Sequence, residues 1–169
     1  GIDPADVARN TGRQGRAVGK LICQELKNLL SAARSKRVTV SAIGVSVPGI
    51  SHSRTGKVWA PNIPGWEDYP LRRELLAALP DKRIRVVIDS DRAAYILGET
   101  WRGVAKGCRN AIFLAVGTGI GAGMIVDGRV LQGVSDMGGE VGHHVLAADG
   151  PPCPCGQRGC FEMYCGGLN

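Results

Sequence analysis

With 169 residues, of which 44% are hydrophobic and 21% charged, the chain has an ordinary globular composition: one respectable core, or part of a larger protein. No window approaches the ~18 consecutive apolar residues of a membrane span, and no signal peptide opens the chain, so a cytoplasmic protein without a membrane partner is expected. The net charge of +6 does not make a nucleic-acid surface, because its densest basic set, Arg9 to Arg37, shares a segment with an apolar helical stripe, and 5% aromatics are too few for base stacking.

In chain order, Asp3-Pro4 reads as an N-cap with proline at the first helical position. Val18, Leu21, Ile22, Leu26, Leu29 and Ala33 recur at helical spacing, so the helix runs to about Ala33. "RVTVSAIGVSVPG" has strand composition and ends at a Pro-Gly turn. "KVWAPNIPGW" is a short strand breaking into a proline-rich loop, "PLRRELLAAL" an amphipathic helix, "RIRVVID" a buried strand, and "RAAYILGETWRG" a third helix. After Lys106-Gly107 the texture changes to glycine-rich apolar runs, the last two joined across Asp127-Gly128, a hairpin turn signal. Two lobes are expected, 1–108 and 109–169, with no internal repeat.

The chemistry concentrates late. Glycine, 25 residues and about twice average usage, lies mostly after Gly98. "GGEVGHHVLAADGPPCPCGQRGCFE" holds Cys153, Cys155 and Cys160, three thiols that one ion can gather. Soft sulfur with one imidazole is typical of zinc, and four protein ligands close its tetrahedron, so the site is expected to be structural. His143 and His144 compete for the fourth place, with Cys165 a weaker rival. Free reduced cysteines in a loop are the bland alternative; a zinc-finger spacing and a DNA-reading helix are both absent.

"GTGIGAG", Gly117 to Gly123, can turn backbone N–H groups toward an anion. It is not a dinucleotide fingerprint, because strand-like "MIVDGRV" follows where that motif must open a helix. A plain glycine-rich hairpin remains the other reading. In "VVIDSDRAA", Asp89 and Asp91 end a buried strand, where open α/β sheets present their ligands. A carboxylate there can take a hydroxyl proton during phosphoryl transfer; Asp91, just before a helix, can equally be a cap.

Taken together, "GVSVPG", "APNIPGW", "DSDRAAYILGE", "GTGIGAG", "GGEVGHH" and "CPCGQRGCFE" resemble the ROK family of repressors, open reading frames and sugar kinases, over residues 40 to 165. The resemblance implies an α/β fold of the actin-like ATPase (ribonuclease H-like) type with two lobes, here incomplete at both termini. It implies that Asp91 is the base activating a sugar hydroxyl, that Asn62, Glu140, His143 and Glu162 hydrogen-bond the sugar, and that Gly49 lines its pocket. Gly117, Thr118 and Gly119 would lie at the phosphates of ATP, which carries Mg2+, and His143, Cys153, Cys155 and Cys160 would hold Zn2+. His143 would then use one ring nitrogen for metal and the other for a hydroxyl.

Ser90 stands where the family usually has Asn, a shorter group at a sugar-contacting position. The family's Asp-x-Gly-Gly-Thr phosphate motif is absent, and the chain ends before the helices expected to complete the second lobe, so this reads as the middle of a kinase with little activity alone. The expected function is ATP-dependent phosphorylation of a hexose or N-acetylhexosamine, by a homodimer in the full-length protein. The alternatives are a sugar-responsive repressor, which the single long helix at residues 1–37 disfavours, and a non-catalytic sugar-binding protein, which would not need Asp91.

Overall fold

The computed structural model describes residues 4–167, with side chains from Gly12 onward. The chain forms two compact units, Gly1–Ser90 and Asp91–Asn169. In the first unit, α1 (Pro4–Ser35) begins at the expected proline, while the Asp3 cap lies outside the described residues. The helix stops where Arg37 turns left-handed at φ 55° and the Val38 N–H reaches the Ala33 carbonyl at 2.9 Å.

α1 docks through its glycines. A Cβ on Gly15 would stand 2.7 Å from the Pro64 carbonyl oxygen and 2.9 Å from Trp66 Cδ1, and one on Gly19 would overlap the Tyr69 hydroxyl. The bare backbone therefore approaches the stacked Trp66–Tyr69 pair, whose centroids are 4.5 Å apart. Trp66 Nε1 donates to the Gly15 carbonyl at 2.9 Å, and the Tyr69 hydroxyl donates to Glu74 at 2.7 Å. Leu26, Val47, Val58, Leu71 and Leu75 join these rings in the core.

Two sheets frame that core. β1 (Ala42–Val47) pairs in parallel with β4 (Arg85–Ser90), Ala42 opposite Arg85 and Val47 opposite Ser90. β2 (Ile50–Ser51) and β3 (Val58–Trp59) form a short antiparallel pair, and α2 (Leu71–Ala78) leads back toward β4. The expected strand from Arg37 pairs only from Ala42 onward, because β4 offers no partner before Arg85.

In the second unit, α3 (Asp91–Arg102) packs on β5 (Ala111–Val116) and β6 (Ile120–Val126), and β7 (Arg129–Val130) adds to the same antiparallel sheet. The predicted hairpin forms at Asp127 and Gly128, with φ 51° and 79°. α3 comes close to β6 because Gly121 and Gly123 lack side chains; a Cβ on Gly123 would overlap the Arg92 carbonyl and stand 2.9 Å from Ile96. A 3-10 turn (Val141–His143) and the short α4 (Glu162–Cys165) flank the cysteine loop. Among the described residues no helix is long and apolar enough to cross a membrane.

Candidate functional site

The cysteine loop is built by local turns. The Gly156 N–H reaches the Cys153 carbonyl at 3.0 Å, and the Cys153 N–H takes the Gln157 carbonyl at 2.9 Å, closing a tight turn that carries Cys155 outward. Bridges between Val145 and Cys160 and between Pro152 and Arg158 tie both ends of the loop together. This places the His143 ring and the Cys153, Cys155 and Cys160 sulfurs within 4.8 Å of one another. His143 presents Nδ1, 3.7 Å from Cys153 Sγ, and Cys155 Sγ lies 3.6 Å from Cys160 Sγ.

Those separations suit a metal. A tetrahedron with metal–sulfur bonds of ~2.3 Å has edges of about 3.8 Å. The donor set, three sulfurs and one imidazole, can hold a metal ion with no open position. Burial pushes the Cys160 thiol up to about 12, and a backbone N–H at Gln157 draws Cys155 down. His144, the rival ligand, is exposed and outside the group; its N–H reaches the Val141 carbonyl at 3.1 Å and its carbonyl accepts the Phe161 N–H at 2.9 Å. Cys165 is likewise exposed and outside it.

Beside the cluster lie two carboxylates. The His143 N–H takes the Glu140 carbonyl at 3.2 Å, so the 3-10 turn sets the glutamate and the histidine together. Glu140 Oε1 pairs with Arg92 Nη1 at 2.6 Å, both side chains largely buried. Glu162, at the start of α4, accepts the Ile120 N–H on Oε2 at 2.7 Å. The same oxygen is 2.8 Å from where a Cβ on Gly119 would stand. Glu162 is thus packed onto the glycine loop.

That loop, Gly117 to Gly119, is the hairpin between β5 and β6, and "GIGAG" continues as strand, as the exclusion of a dinucleotide fold requires. The Gly117 N–H takes the Gly119 carbonyl at 3.0 Å, and the Gly167 N–H takes the Gly117 carbonyl at 2.6 Å. Asp91 is the first residue of α3, and its Oδ1 accepts the Arg92 N–H at 2.8 Å. Asp89 makes the matching bond to the Ser90 N–H at 2.8 Å.

Gly49, Asn62 and Ser90 belong to the first unit. Ser90 is buried at the carboxyl end of β4, opposite Val47, and Gly49, at φ 147°, lies where a Cβ would overlap the Trp59 carbonyl. Asn62 is exposed in the turn that follows Ala60. Asp91, Glu140, His143, Glu162, the glycine loop and the cysteine cluster belong to the second.

Sequence reasoning missed Arg92. No local pattern marked it: the glycines of β6 that make room for its stem and its partner Glu140 lie far along the chain.

A match to the ROK family covers residues 9–168. The chain is 34% identical over 163 residues to a glucokinase of Halalkalibacterium halodurans, covering 95% of this chain and 48% of that protein. It is 37% identical over 123 residues to a xylose repressor of Bacillus subtilis, covering 72% of this chain and 31% of the repressor. Among solved structures, a ROK hexokinase from Thermus thermophilus superposes with a TM-score of 0.77 at 38% identity, over 90% of this chain and 49% of that one. The chain therefore spans about half the length of the kinases it matches, and less of the repressor.

Proposed function

This chain belongs to the ROK family, and from that premise we propose that the protein carrying it phosphorylates a hexose or an N-acetylhexosamine with ATP. The fold is the family's actin-like ATPase fold, of mixed α/β lobes. The lobes are proposed at 1–108 and 109–169, a division that differs from the packing units, in which α3 goes with β5 and β6. The observation that carries the reading is the stitching within the second unit: Glu140 to Arg92, His143 to Glu140, and Glu162 to Ile120 beside the glycine loop. Acceptors for sugar hydroxyls thus stand next to a loop suited to phosphate.

In this reading Asp91 is the general base. Its Oδ1 is held by the Arg92 N–H, which leaves Oδ2 to take the proton as the sugar oxygen bonds to the γ-phosphorus and the bond to ADP breaks. Within the second unit Glu140, His143 and Glu162 bind hydroxyls; Asn62, Ser90 and Gly49 of the first unit are proposed as sugar-binding residues by the family resemblance alone. Gly117, Thr118 and Gly119 would lie at the phosphates, whose charge Mg2+ would neutralise when bound. Zinc held by His143, Cys153, Cys155 and Cys160 is structural. His143 would hold it through Nδ1, the ring nitrogen facing Cys153 Sγ, which would leave Nε2 for a sugar hydroxyl. A cytoplasmic homodimer that binds no nucleic acid belongs to the same proposal.

The likeness to a xylose repressor favours a second reading, in which the pocket binds sugar without turnover. ADP release measured over a panel of hexoses and N-acetylhexosamines separates the two. The kinase reading expects turnover with at least one sugar. Binding of a sugar with no ADP release from any overturns it for the repressor reading.

A further inference from the structure

We propose that Arg92 is a positioning residue that fixes the Glu140 carboxylate for sugar binding, a step that rests on the kinase reading above. Three observations carry it. Arg92 Nη1 meets Glu140 Oε1 at 2.6 Å, with only 12% of the arginine and 21% of the glutamate side chain exposed. The arginine stem crosses β6 at Gly121, where a Cβ would stand 2.6 Å from its Cδ, so the strand's bare backbone forms the slot in which it lies. Nε and Nη2 are buried without a hydrogen-bond partner, so the ion pair to Glu140 is the polar contact that anchors the guanidinium.

The pair has a direct effect on the carboxylate. A charge-assisted bond of this length holds Oε1 in one direction, so Oε2 is presented as an acceptor. The backbone holds the same segment down: the Ala122 N–H takes the Gly139 carbonyl at 2.8 Å, and Gly142 lies against the Ile120 carbonyl. Arg92 also donates its own N–H to Asp91. One residue thus touches both the proposed base and a proposed sugar-binding group. Glu162 accepts from a different donor, the Ile120 N–H.

The test compares sugar and ATP affinity by calorimetry, with steady-state kinetics, in the protein that carries this chain and in four variants: Arg92→Ala, Arg92→Lys, Glu140→Gln and the Arg92→Ala/Glu140→Gln double. Arg92→Ala should raise the sugar Kd and KM about tenfold or more, lower kcat less, and leave ATP affinity within about twofold. Arg92→Lys, which keeps the charge with a less rigid donor, should recover part of the loss. In a Glu140→Gln background, Arg92→Ala should add little, because the group it orients has already lost its charge. Thermal unfolding is recorded for each variant, since stranding Glu140 also destabilises the fold.

Sugar and ATP affinity falling together, or losses that add fully in the double variant, would mean a structural role and overturn the proposal. Unchanged sugar affinity in a folded Arg92→Ala protein overturns it too, while leaving the kinase reading intact. Failure of the unaltered protein to bind any sugar removes both.

Discussion

Cys155 is the exposed member of the four-ligand group, so its side chain can change without disturbing the core. Protein purified without added metal should carry about one equivalent of zinc per chain, and Cys155→Ser should lose most of it. His143→Ala should release the metal and His144→Ala should retain it; the reverse pattern in metal analysis contradicts the ligand set. The choice between these histidines was not legible in "GHH", because adjacent residues share composition and neighbours. It becomes visible once the turn Val141–His143 directs one ring inward and the backbone of His144 is bound to Val141 and Phe161. The thiol trio was legible, because soft donors so close in sequence have few other uses. Arg92 was not, since its partner Glu140 is 48 residues away and no periodicity links them.

At the level of elements, glycine placement makes the sharpest prediction. Gly12 and Gly15 both lie in α1, yet a Cβ on Gly12 meets nothing nearer than Arg16 Nη2 at 3.9 Å, whereas on Gly15 it meets the Pro64 carbonyl oxygen at 2.7 Å. Gly12→Ala should therefore stabilise by up to ~1 kcal/mol through helix propensity. Gly15→Ala should destabilise by ~1–3 kcal/mol through overpacking. Denaturant unfolding followed by fluorescence of the buried Trp66 reads both, and a neutral Gly15→Ala would mean that α1 does not dock as described. Helical spacing revealed α1 but not its glycine face, because its partners Trp66 and Tyr69 lie in a loop whose course periodicity does not describe. The hairpin at Asp127-Gly128 was legible because its turn chemistry is local. The parallel pairing of β1 with β4 joins strands separated by a hairpin and α2, and only tertiary packing sets that register.

For the whole molecule, the motif order identified the family, because each motif carries a chemical requirement and their sequence along the chain is a joint constraint. The division at Ser90 was less legible: α3 follows β4 without a break in composition, and it is packing on β5 and β6 that assigns it to the second unit. The central claim is that the protein carrying this chain moves a phosphoryl group from ATP to a sugar with Asp91 as base. The most direct measurement pairs sugar affinity with sugar phosphorylation in that protein and in its Asp91→Asn variant. Asparagine keeps the size and reach of the side chain and cannot take the proton, so kcat should fall ~10²–10⁴-fold while sugar affinity stays nearly unchanged. Asp89→Asn, made alongside, should change little. A fall in kcat of less than about tenfold for Asp91→Asn would contradict the account, because general-base catalysis is worth more than that.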